Sequence, residues 1–193
     1  MDQYNIILSA ETQFAREVTL GVIYQRPLSA WLYVIPGMFI IDFLRRGTAI
    51  SRYTKHFMFP RKLAMEAARS LLNGEEKSSL DARIDREIEN WLNSLNLYSN
   101  ELARAQKAAV DLLVEYYAKL LNVQGTSYYE LIENAYRSRA EFESHVRALT
   151  AAEADIDSAI IAKMGHDEKL KEKLLLEAQQ VEKRRNKILE DIF

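Results

Sequence analysis

From Leu80 to Leu120 the apolar residues of this chain fall three or four positions apart: Leu80, Ile84, Ile88, Trp91, Leu95, Tyr98, Leu102, Ala105, Ala109, Leu112, Tyr116 and Leu120. This spacing puts one side chain per turn on a single helix face and does not fit the two-residue period of a strand. A stripe of that kind must be buried against another helix, and its heptad-like length favours a partner equally long. Little else in the chain competes with this pattern. Six Gly and three Pro in 193 residues leave few turns, and no segment alternates as a strand would. The sequence therefore predicts an all-α protein. Residues 75–193 form an antiparallel bundle of long helices or a coiled-coil-like hairpin, and residues 1–74 form shorter helices around an apolar hairpin broken by Pro and Gly.

The helix limits follow from local chemistry. Residues 3–24 carry Tyr4, Ile7, Leu8, Phe14, Ala15, Val18 and Val22 as one stripe, with Glu11, Gln13, Arg16 and Glu17 mostly off it. Pro27 ends this helix, because the residue before a proline avoids helical geometry. Gly47 is read as a stop, Thr48 as the cap of a short helix to Phe59, Pro60 as the start of the next, and Asn73-Gly74 as its end. The polar string from Glu75 to Ser79 marks a boundary, with Ser78 and Asp81 as a weak capping box. Three asparagines and two serines between Asn93 and Asn100 mark a kink or break. Gly125-Thr126 is a turn, Ser127 with Glu130 starts a helix, and a seam from Ile132 through Arg139, Phe142 and Glu153 to Ile160 carries that helix on to Gly165. Short connections at 73–79, 122–127 and 164–167 favour antiparallel neighbours.

The least polar stretch is Leu28 to Leu44, LSAWLYVIPGMFIIDFL, with Asp42 its only charge and Pro36-Gly37 near its middle. It is shorter than the roughly 20 apolar residues that span a bilayer, so it reads as two half-segments around a bend. A basic region follows at once. Residues 28–74 hold Arg45, Arg46, Arg52, Lys55, Arg61, Lys62 and Arg69 against Asp42 and Glu66, whereas residues 75–193 are acidic. Two uses of the run stay open: the centre of a soluble bundle, with Asp42 paired to an arginine, or a bent hairpin entering one leaflet. In the second, Trp31 and Tyr33 sit at the interface, Pro36 and Gly37 lie at the tip, and Arg45, Arg46, Arg52, Lys55, Arg61 and Lys62 meet anionic headgroups.

Several classes of chemistry have no footing. Without Cys there are no disulfides, thiolate metal sites or cysteine nucleophiles. Phosphate-binding glycine loops, the G-x-S-x-G elbow and the H-E-x-x-H helix are absent. The Glu-x-x-His pattern of di-iron bundles fails, because Tyr53, Phe142 and Lys163 stand three residues before the histidines. No motif implies a cofactor or names a small-molecule substrate. Nucleic acid is disfavoured, since the basic region abuts the most apolar run and the rest is acidic. The first residues, MDQYNIILSAE, lack a secretory pattern, which predicts a cytoplasmic protein.

The expectation is a non-enzymatic scaffold or adaptor acting through protein-protein contact or self-association. In one version it docks peripherally on the inner membrane face. The alternative is a helical metal-binding protein or enzyme using Glu130, Glu133, Glu141 and His145, whose spacings place them on nearby turns. Such pairs are also ordinary on solvated helix faces.

Overall fold

The computed structural model describes residues 2–24, 38–165 and 168–193. Among these the chain forms seven helices and no strand: α1 Gln3–Tyr24, α2 Met38–Leu72, α3 Lys77–Ser94, α4 Asn100–Leu121, α5 Tyr128–Ala135, α6 Arg139–Met164 and α7 Glu168–Ile192. The predicted all-α bundle is thus observed. Most of the apolar hairpin lies outside the described residues, and no helix among them is long and apolar enough to cross a membrane.

At the centre is α4, packed along α2 and α6 and touched by α1, α3 and α5; α1 also lies against α2 and α7. Its position explains its burial. Leu102, Gln106, Val110, Leu113, Tyr117 and Leu120 are all buried, a wider band than one seam, because neighbours surround the helix. Ile7 from α1, Met65 from α2, Ile84 and Ile88 from α3, and Ile132 from α5 join them in one core that crosses residue 75.

Four helix limits are set by local chemistry, three of them against the sequence reading. First, α2 runs unbroken through Gly47, Thr48 and Pro60. A glycine inside a helix costs about 1 kcal/mol and a proline about 3, and the face that buries Met58, Ala64, Met65 and Ala68 against neighbours outweighs both. Second, the long seam divides at Leu95–Ser99, within the stretch where the sequence marks a kink or break. Asn96 takes a left-handed φ of 58°, the Leu97 N–H donates to the Leu92 carbonyl at 2.9 Å, and the Asn96 N–H donates to Asn93 at 3.0 Å. That is a Schellman ending with Asn in the glycine position. The same motif closes α2, where Gly74 has φ 87° and Glu75 donates to Ser70.

Third, α3 begins at Lys77 after Glu76, without a side-chain cap; Ser78 donates to Glu76 instead of pairing with Asp81. Fourth, the helix expected over 127–164 is two helices. Tyr136 is extended, and Ser138 starts α6 by accepting from the Glu141 N–H at 3.2 Å while Glu141 accepts from the Arg137 N–H at 3.1 Å. The cap decides this break. Ser138→Ala is expected to cost about 1 kcal/mol in urea unfolding, and a cost indistinguishable from zero would show that the bend is held by packing alone.

Candidate functional site

The residues singled out for surface contact separate into three groups. Trp31, Tyr33, Pro36 and Gly37 lie outside the described residues, and Arg45 and Arg46 fall in α2 with side chains outside them. Arg52, Lys55 and Lys62 are exposed. With Phe59, Glu66 and Arg69 they recur three or four apart, so they share a face about 26 Å long at 1.5 Å per residue. Arg61 is the correction: it points inward, is 5% exposed, and is held by acids of other helices.

The exposed face of α2 forms the floor of an open groove of about 1120 Å³. Thr12 and Arg16 of α1 make one wall and Arg83 and Glu87 of α3 another, with Lys55, Lys62 and Arg69 between them. Arg83 is paired with Glu75 at 3.3 Å, and Arg69 lies over the Tyr4 ring at 5.3 Å. Arg16, Lys55 and Lys62 make no ion pair among the described residues. Five bases face two acids in this groove, so its field is positive.

The interior holds a second polar constellation. Arg61 Nε donates to Glu11 Oε2 at 3.1 Å, its Nη1 donates to the Phe57 carbonyl at 3.3 Å, and its Nη2 lies 3.6 Å from Glu153. Its guanidinium sits 3.9 Å above the Phe57 ring, adding a cation–π contact. Arg185 binds Glu153 with both terminal nitrogens, at 2.6 and 2.8 Å, and donates to Thr150 at 3.0 Å. Tyr128 donates to Glu11 at 3.0 Å and shares a 2.8 Å hydrogen bond with Tyr116. Burial works against the Arg61 charge, but Glu11 and Glu153 prevail and hold its pKa above the usual value. Burial, then Glu11, pushes Tyr116, Tyr117 and Tyr128 well up, so all three stay protonated.

Beside this network is a cleft of about 370 Å³ enclosed by α2, α3, α4, α6 and α7, with Trp91, Leu102, Leu113, Ile160, Leu174 and Val181 in its lining. Asp157 and Glu177 also line it, and neither has an ion pair among the described residues. Burial first, then Glu177 and Glu153, pushes Asp157 up to about 7. Burial likewise raises Glu177, against the lowering effect of Tyr53 and Arg61. The Tyr53 hydroxyl is buried without a well-formed hydrogen bond, and burial and Glu177 keep it protonated.

The four residues of the metal reading are dispersed in role. Glu130 accepts from the Thr126 N–H and hydroxyl, at 2.7 and 2.8 Å, and Glu141 accepts from Lys119 at 2.9 Å; these bonds lower both carboxyl pKa values. Glu133 is exposed. His145 stacks on Tyr116 at 5.2 Å with its Nε2 buried and unbonded, and burial, then Lys119 and Arg185, pushes it down to about 4. Among the described residues no three His, Asp or Glu side chains are grouped to hold a metal ion.

Sequence reading missed Glu11, Arg185, Asp157 and Glu177. The signal was register: Glu11 stands four after Ile7 and four before Ala15, and Arg185 four after Val181 and four before Leu189, all buried. A charge at a core position asks for a partner at another core position. Glu153, noted as a charged member of its seam, was one such partner. No family model, curated protein or solved structure matches the chain.

Proposed function

We propose that this protein is a non-enzymatic helical adaptor that binds an acidic helical segment of a partner protein in the groove between α1, α2 and α3. The observation that supports this reading is that Arg16, Lys55 and Lys62 line a concave, positive groove with no internal ion pairs among the described residues. Bases committed to stability are placed as Arg61 is, against buried acids. Bases kept in an open groove raise the association rate of an anionic partner and select against basic ones. The groove has the length of several helical turns, which suits a helix laid along it.

A second reading, peripheral attachment to the cytoplasmic face of a membrane, is supported by the continuity of α2. One helix leads from the apolar Met38–Leu44 residues through Arg45 and Arg46 to the exposed Arg52, Lys55 and Lys62. One experiment separates the two. Fluorescence anisotropy with a labelled Glu-rich amphipathic peptide is run beside sedimentation with phosphatidylserine vesicles. Salt-sensitive peptide binding that Lys55→Glu/Lys62→Glu weakens at least tenfold supports the adaptor. Vesicle binding lost in the same variant, with no peptide binding, transfers the function to the membrane; binding to neither removes both readings.

A further inference from the structure

The interior cleft is a separate place from the groove, and its acidic groups are not all paired. Arg61 and Arg185 are satisfied by Glu11 and Glu153, which leaves Asp157 and Glu177 as two acidic groups without an ion pair among the described residues, beside the Tyr53 hydroxyl. Carboxyl groups without an ion pair in such a setting either keep a proton or take up a cation. A second observation points the same way. Gln106 of α4 is only 4% exposed, lines the same cleft, and its carboxamide has no hydrogen-bond partner among the described residues. The carboxamide opens onto the cleft, within reach of a molecule lying there.

The volume, about 370 Å³, lies within the range of small-molecule sites, roughly 300–1000 Å³, which combine an apolar lining with a few placed polar groups. Trp91, stacked on Phe59 at 4.6 Å, and Leu102, Leu113, Ile160 and Leu174 supply that lining. We infer that the cleft binds a small apolar molecule carrying one ammonium group, the apolar body lying among these side chains and the ammonium paired with the Asp157 and Glu177 carboxyls, with Gln106 as a further hydrogen-bonding group. A carboxylate ligand would add another acidic group to the two. A neutral one would leave both without a cation.

The test uses octylamine, octanol and octanoate, three probes of one length that differ in head-group charge, each below its micelle concentration. In a Trp31→Phe background Trp91 is the only indole, and its fluorescence reports occupancy of the cleft. Octylamine is expected to bind at least tenfold more tightly than octanol, and octanoate not at all. Asp157→Asn/Glu177→Gln, which keeps side-chain shape, should erase the preference for octylamine while retaining octanol. If that variant does not fold, the ranking of the three probes on the Trp31→Phe protein decides alone. Equal affinity for octylamine and octanol, no saturable binding, or a preference that survives the double substitution would overturn the proposal. Lys55→Glu/Lys62→Glu should leave octylamine binding unchanged, so failure of the groove reading and failure of this one are read separately.

Discussion

Arg61→Met is expected to lower stability by about 3–5 kcal/mol, the cost of removing one partner from a buried ion pair. The substitution leaves Glu11, 6% exposed, without its cationic partner, although the Tyr128 hydroxyl still donates to it. It also removes the donor to the Phe57 carbonyl and the cation–π contact with the Phe57 ring. Glu153 suffers less, because both of its oxygens remain bonded to Arg185. Charge is the cause, since Met fills much of the same volume. Glu11→Gln/Arg61→Met should therefore recover a large part of the loss, and a double-mutant cycle in urea should show strong coupling. A single-variant cost under about 1 kcal/mol would mean that water or rearranged side chains solvate Glu11 and that the pair is not closed to solvent.

Two groups should oppose one another in the pH dependence of stability. Asp157 keeps its proton up to about pH 7 in the fold, whereas the unfolded chain releases it near 3.8. The native state therefore binds the extra proton between those values, and this group makes stability fall as pH rises from about 4 to 7. The displacement is worth about 4 kcal/mol in full; with Asp157 partly in contact with solvent, about half of that, about 2 kcal/mol, is expected. His145 has the opposite sign. It stays neutral in the fold down to about pH 4 while the unfolded chain takes up a proton near 6.5, so stability falls as pH drops through that window, by about 1–2 kcal/mol after the same discount. The two slopes nearly cancel in the parent protein. Asp157→Asn should raise stability by about 2 kcal/mol at pH 8 and expose the acid-side loss from His145. His145→Phe, whose ring keeps the stack on Tyr116, should leave a protein that gains stability as pH falls from 7 to 4. Parallel urea midpoints across pH for all three proteins would remove this account.

What the sequence could state about the fold came from periodicity and from caps. The stripe from Leu80 to Leu120 names α3 and α4, and Asn73-Gly74 and Ser127 with Glu130 mark helix ends that the structure shows. The pattern Ser-x-x-Glu recurs at Ser138 and Glu141 and starts α6 in the same way. Ile132, Ala135, Arg139 and Phe142 keep helical spacing across it, and that spacing reads as one continuous helix. Spacing alone does not distinguish one helix from two that meet in register.

Proline and glycine misled for the converse reason. Gly47 and Pro60 carry local costs of about 1 and 3 kcal/mol, and only the burial of Met58, Ala64, Met65 and Ala68 against other helices shows that they are exceeded. The candidate sites were legible in part. Lys55 and Lys62 stand out as bases on one helix face, yet Arg61, their neighbour in sequence, turns inward by one helical step of about 100° to meet Glu11, fifty residues away.

The sequence by itself determined the helical class, most helix ends and the acidic and basic segregation, because these depend on residues within a few turns of one another. Only the tertiary structure decided that Glu11, Arg61, Glu153 and Arg185 share one interior, and that Asp157 and Glu177 remain beside it uncompensated. The physical reason is range. A helical period fixes which way a side chain faces, but a buried charge is stable or costly according to what another helix brings to the same place.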